Sequence, residues 1–209
     1  MAGEIAFTLD GQTVTADTGE TIWQVANRLG TEIPRLCLSS EPDFHPDGNC
    51  RLCVVEIVGR RALSSSCNTK PQAGMQVLTS SPRALNARRT VMELLLAEAE
   101  FGATSEAAAL ARRIGVDHTR YPLSARPGKV DRSHPGIDVA RDACIHCQRC
   151  IQACGELTIQ EVIGLSGRGT TARITFDLDD LMGDSTCVSC GACAQTCPTG
   201  ALTFRRPAP

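Results

Sequence analysis

Two stretches repeat one spacing of cysteines. "CIHCQRCIQAC" begins at Cys144 and "CVSCGACAQTC" at Cys187, and both read C-x2-C-x2-C-x3-C. Eight of the twelve cysteines sit in this repeat, and only the second copy ends in Cys-Pro. Any fold must accommodate both loops, so they bound the answer more tightly than any other feature. Disulfides belong to oxidising compartments and small secreted frameworks. The opening "MAGEIAFTLDGQTV" has neither the basic stretch and apolar run of a secretion signal nor a twin-arginine address. The expected location is therefore the cytoplasm, where clustered thiols are more often metal ligands. With aromatic residues at only 3% of the chain, inorganic staples would make up for missing bulk in the core.

The spacing points to iron–sulfur clusters. A cubane offers four iron corners, each needing one thiolate, and three cysteines two residues apart let one tight loop reach three of them. The short loop has then curved past, so the fourth ligand comes from elsewhere. In two-cluster ferredoxins the run C-x2-C-x2-C-x3-C-P sends its last cysteine to the other cluster. The spacing thus assigns one 4Fe–4S cluster to Cys144, Cys147, Cys150 and Cys197, and a second to Cys187, Cys190, Cys193 and Cys154. Structural zinc instead uses two C-x2-C pairs, or one pair with two histidines, and neither repeat has that form. Pro198 fixes the backbone after Cys197, whereas Gly155 permits a turn after Cys154 without enforcing one.

The remaining four cysteines are Cys37, Cys50, Cys53 and Cys67, a C-x2-C pair with one ligand well before it and one well after. The pattern fits a 2Fe–2S site on the logic of plant-type ferredoxins, although their first gap is only four residues. Zinc is a fairer competitor at this site. Four ligands for each of three centres use every cysteine.

The first 80 residues read as an α+β unit of β-grasp type. "IAFTLDGQTVTA" is two alternating runs joined by Asp10-Gly11, a hairpin signal. "ETIWQVANRLG" has helical apolar spacing and stops at Gly30. An irregular loop from Cys37 to Cys50 leads into strand-like "CVVEIVG", "RALSSSC" and "GMQVLT". Residues 81–135 form a helical segment and linker. Ser81-Pro82 opens a helix running through "VMELLLAEAE", "SEAAALARRIG" is a second helix, and "YPLSARPGKVDRSHPG" is an extended linker. Residues 136–209 form a bacterial-type two-cluster 4Fe–4S ferredoxin-like domain whose spacer contains one strand, "ARITFDL", and a glycine-rich turn.

These residues resemble a known group. "IPRLC", "GNCRLCVVEI" and "SSC" are similar to the 2Fe–2S domain of the complex I large iron–sulfur subunit, the diaphorase small subunit of NAD-linked hydrogenases, and NAD-dependent molybdenum or tungsten formate dehydrogenase catalytic subunits. "DRSHPGIDVARDACIHCQRCIQACGE" with "CVSCGACAQTCPTGAL" looks especially like the stretch preceding the formate dehydrogenase catalytic domain. Such relatives usually add a cubane held by one histidine and three cysteines after a helix like "VMELLLAE". Here "AEFGATSEAAALARR" has neither residue, and Ala99 stands about where that histidine would be. The resemblance therefore implies one 2Fe–2S and two 4Fe–4S clusters, with the helix of residues 105–114 filling the vacated space. It also implies an electron-transfer arm existing as a separate subunit.

The implied partners are a formate dehydrogenase-type catalytic subunit and a flavin/NAD-binding diaphorase subunit, with a hydrogenase module as the alternative. A free-standing ferredoxin carrier would expect a strongly acidic surface, and a net charge of −2 supplies none. Nucleic-acid binding would need a basic stripe, and no apolar run approaches the roughly 18–20 residues of a membrane span. His45 and His146 lie in ligand loops and read first as solvated loop histidines, with hydrogen bonds to sulfur as the alternative. Arg60-Arg61, Arg88-Arg89 and Arg112-Arg113 read as solvated faces or partner contacts. There is no P-loop, no G-x-G-x-x-G and no nucleophile arrangement, so catalytic residues are absent from the expectation.

Overall fold

The computed structural model describes residues 4–39, 44–123 and 128–205. These fall into two compact units, Met1–Arg35 with Pro46–Met92, and Leu36–His45 with Glu93–Pro209. The division falls inside the helix Pro82–Glu98.

In the first unit, β1 (Ile5–Leu9) and β2 (Gln12–Ala16) form an antiparallel hairpin with Phe7 opposite Val14. Asp10 and Gly11 turn it at φ +47° and +84°, the left-handed pair that a two-residue hairpin with matching twist requires. β3 (Val54–Ile57), β4 (Ser64–Ser65) and β5 (Gln76–Leu78) complete a five-stranded sheet in the order β2-β1-β5-β3-β4. β1 and β5 run parallel, so everything between them serves as the crossover. This is the β-grasp arrangement expected. Helix α1 (Ile22–Arg28) packs beside β2 and buries Ile22, Val25 and Ala26. A reciprocal Thr21–Gln24 capping box starts it, and Gly30 at φ +78° follows its end.

α2 (Pro82–Glu98) starts as read, with the Ser81 hydroxyl accepting from the Ala84 N–H at 3.2 Å. α3 (Glu106–Arg113) is capped by Ser105, and its Ala107 N–H donates to the Pro198 carbonyl at 2.8 Å. Within the second unit, β6 (Ile137–Val139) pairs antiparallel with β9 (Leu202–Phe204), and β7 (Ile163–Ser166) with β8 (Arg173–Phe176). Only β8 was legible in advance; β6 and β9 are three residues each, too short to show a period. The β6–β9 pair lays the entry to the first cysteine loop beside the exit from the second. Two short helices, α4 (Arg149–Gln152) and α5 (Ala192–Thr196), carry the third cysteine of each repeat and touch one another. Cys144, Cys150, Cys154 and Cys193 share one buried cluster with Val139, Ile163, Phe176, Met182 and Leu202, so thiols stand where a larger protein would place aromatic bulk.

The "linker" has a structural anchor in it. The Asp131 carboxylate accepts from the N–H of Met182 at 2.9 Å and from the hydroxyl and N–H of Ser133 at 2.6 and 2.9 Å. Burial opposes its ionisation, but these donors prevail and hold the carboxyl below its ordinary value. Its stabilising contribution is therefore present above the unfolded value and lost as pH falls through the lowered one. Asp131→Ala is expected to cost about 2 kcal/mol at neutral pH, the scale of hydrogen bonds to a charged group. The difference in melting temperature from wild type should shrink as pH is taken below the unfolded carboxylate value of 3.8.

Candidate metal centres

The two repeats adopt one backbone shape. In the first loop His146 and Gln148 have φ of +53° and +66°; in the second Ser189 and Gly191, at the same offsets, have +61° and +79°. These left-handed turns aim N–H groups at sulfur. The His146 N–H donates to Cys144 Sγ and the Ser189 N–H to Cys187 Sγ, both at 3.4 Å. The Leu202 N–H reaches Cys197 Sγ at 3.5 Å. Gly191 has a second reason to lack a side chain, since a Cβ would stand 2.8 Å from the Phe204 ring.

The loops wrap two separate cavities. One is lined by Cys144, Cys147, Cys150 and Cys197 with Ile145, Ile151, Ile174 and Leu202. The other is lined by Cys154, Cys187, Cys190 and Cys193 with Val162, Phe176 and Met182. Each cavity thus takes three cysteines from one repeat and the last cysteine of the other. Cys190 alone of these eight is exposed; Cys187 and Cys197 are half-buried and the rest are buried. Burial, reinforced by neighbouring thiols, pushes the Cys147 and Cys150 thiols up, and the Cys193 thiol up to about 12. Four thiols facing an apolar hollow fit a cationic multi-atom group, which would supply the charge that ionised sulfur needs. Among the described residues no three His, Cys, Asp or Glu side chains are arranged to hold a single metal ion.

The difference after the fourth cysteine has a structural cause. Cys197 ends α5 in an extended conformation, ψ 115°, which a following proline favours. Cys154 instead continues α4 into a π-helical turn, Ala153–Leu157. Its carbonyl accepts from the Thr158 hydroxyl at 3.0 Å and from the Gln160 N–H at 2.8 Å. Proline at position 155 would drive Cys154 out of the helical region.

Cys50, Cys53 and Cys67 are buried in the first unit, with Arg51 between the first two at φ +55°. The Cys53 carbonyl accepts from the Ser66 hydroxyl at 2.7 Å. Cys37 is buried in the second unit, on the segment Leu36–His45. Arg88 is not on a solvated face as read from sequence. It is buried, and its Nε and Nη2 donate to the Val54 carbonyl at 3.1 and 2.8 Å, beside Cys53. Arg60, Arg61, Arg89, Arg112 and Arg113 are exposed. His45 bonds the Glu156 carboxylate at 2.9 Å, and its backbone exchanges two 3.1 Å hydrogen bonds with the Gln152 amide. Ala99 is buried next to a groove that α3 lines with Ala108 and Ala111. Sequence reasoning passed over Asp131, Arg149 and His134. His134 is buried and bonds Ser189 in the second loop at 2.9 Å. Their neighbours carry no signal: Asp131 lies between Val130 and Arg132, Arg149 between Gln148 and Cys150, and His134 between Ser133 and Pro135.

Comparison with known proteins agrees with this geometry. Residues 2–82 match the 2Fe-2S iron-sulfur cluster binding domain, and residues 143–201 the 4Fe-4S dicluster domain. The chain is 36% identical to the NADP-reducing hydrogenase subunit HndD of Solidesulfovibrio fructosivorans, over 95% of this chain and 36% of that protein. It is 30% identical to the NADPH-Fe(3+) oxidoreductase subunit alpha of Geobacter sulfurreducens, over 95% of this chain and 24% of that one. It thus spans about a third or less of these curated relatives. A chain in the crystal structure of NAD+-reducing [NiFe]-hydrogenase in the H2-reduced state superposes with a TM-score of 0.86 at 32% identity, covering 96% of this chain and 87% of that chain.

Two outcomes follow from the loops. Gly155→Pro should cost about 3 kcal/mol or more by breaking the π-turn, read as a lower melting temperature and loss of iron from the second cavity, while Pro198→Ala should change little. The metal-free chain should lose stability as pH rises above the unfolded thiol value of 9.0 toward the raised value near 12, because the folded thiols resist ionisation. The iron-loaded chain should melt independently of pH over that window, measured anaerobically with and without a chelator.

Proposed function

Because this chain belongs to the family of iron–sulfur electron-transfer chains that includes the subunit seen in NAD+-reducing [NiFe]-hydrogenase, we propose that it relays single electrons between a flavin/NAD-binding subunit and a catalytic subunit. The observation that carries the reading is the pair of apolar cavities, each faced by four cysteines drawn from both repeats. The proposed ligand sets are Cys144, Cys147, Cys150 and Cys197 for one 4Fe–4S centre and Cys154, Cys187, Cys190 and Cys193 for the other. Cys37, Cys50, Cys53 and Cys67 would hold a 2Fe–2S centre, a reading supported by the domain match over residues 2–82. Each centre, when bound, exchanges one electron at a time. The chain's own residues hold the thiols, direct N–H groups at sulfur and exclude water.

The proposed catalytic partner is a molybdenum or tungsten formate dehydrogenase, supported by the likeness of the second half to the stretch preceding such catalytic domains. A hydrogenase is the second reading, favoured by the hydrogenases to which the chain is 36% and 32% identical. The described residues contain no helix long and apolar enough to cross a membrane. A cytoplasmic location belongs to the same proposal, since a reducing compartment keeps ligand thiols free.

The test is anaerobic co-purification of the native complex, metal analysis, spin quantitation, and reduction with formate or hydrogen in turn. About ten irons per chain are expected from one 2Fe–2S and two 4Fe–4S centres, with reduction by formate only when the catalytic partner is present. Zinc in place of iron would overturn the relay, and reduction by hydrogen alone would move the assignment to the second reading.

A further inference from the structure

The two 4Fe–4S loops share one backbone shape but differ in the residue before the third cysteine: Arg149 in the first, Ala192 in the second. An arginine there on the surface would be unremarked, but this one is buried, its side chain only 9% exposed. Its Nη1 donates to the Glu106 carboxylate at 2.7 Å and to the Leu36 carbonyl at 3.3 Å. Its Nε has no hydrogen-bond partner among the described residues. Leu36 immediately precedes Cys37. One side chain therefore touches the segment bearing Cys37 while its backbone lies between Cys147 and Cys150.

Burying a guanidinium is costly, and packing alone would be served better by an apolar residue. The charge matters because a cubane held by four thiolates is anionic and gains another negative charge on reduction. A cation inside the low-dielectric unit favours the reduced form far more than one in water would, and net charge is among the determinants of cluster potential. Glu106 offsets this only in part. Its side chain is 40% exposed, so water screens the carboxylate while the guanidinium stays sheltered.

We propose that Arg149 is a positioning residue that separates the two 4Fe–4S centres energetically: it raises the reduction potential of the Cys144/Cys147/Cys150/Cys197 centre and ties that loop to the arm carrying Cys37. This rests on the cysteines being cluster ligands, as proposed above. Glu106 is the counterweight, and the second centre, with Ala192, lacks the device.

The experiment is an anaerobic redox titration of the native complex followed by electron paramagnetic resonance, with iron analysis of each sample. The signal perturbed by Cys190→Ser identifies the second cubane. Arg149→Gln should lower the reduced-to-oxidised ratio of the first cubane at least tenfold at fixed potential, which is about 59 mV for one electron, leaving the second unmoved. Arg149→Lys, which keeps the charge, should restore most of the ratio. Glu106→Gln leaves Arg149 unopposed and should shift the same ratio upward, about threefold. It alters a half-exposed residue, so it decides the matter even where Arg149→Gln fails to load. A first-cubane ratio unchanged or lowered in Glu106→Gln, or equal shifts of both cubanes in Arg149→Gln, overturns the proposal. Absence of about ten irons per chain in the wild type would instead overturn the ligand reading beneath it.

Discussion

Sulfur buried among apolar side chains stays protonated unless a cation comes with it, and the second unit is organised around that constraint. Its shared core joins Phe176, Met182 and Leu202 to four cysteines, and the thiol acidities move in the direction that burial dictates. The strands that frame this core are only three or four residues long. Elements so short cannot bury much apolar surface by themselves, so the unit has reason to depend on what its thiols bind. Folding of this unit and loading of its cofactor are then linked, each favouring the other.

The repeats show how equal sequences diverge where their surroundings differ. Both loops use two left-handed residues and one sulfur-directed N–H in the same places. They part at the fourth cysteine. Cys197 leaves its helix at once, beside a proline and a carbonyl that receives the α3 N–H. Cys154 winds on through a π-turn before the β7–β8 hairpin begins. The missing proline after Cys154 follows from that path. Charge diverges too, at Arg149 against Ala192, and exposure diverges at Cys190.

Much of this was legible in advance because its signals are local. Asp10-Gly11, the helix stop at Gly30 and Ser81-Pro82 each act within a few residues of themselves, and the structure uses all three. The cysteine spacing likewise encodes loop geometry directly. What could not be read depends on partners distant in the chain. Arg88 looked like half of a surface pair until the fold laid it over the Val54 carbonyl, 34 residues away. Asp131 looked like linker until it met Met182, 51 residues on. Arg149 and Glu106 are 43 residues apart. None of these pairs has a periodic signature, because each is one buried polar side chain answered by a group far off in the chain.

The antiparallel pairing of β6 with β9 has a consequence for ancestry. With Ala140 bonded to Ala201 and Arg205 to Gly136, the stretch from 136 to 205 leaves the fold where it entered. A segment whose two ends meet can be spliced into or out of a host polypeptide with little disturbance on either side. Portability of that kind suits a module whose relatives embed it in chains several times longer.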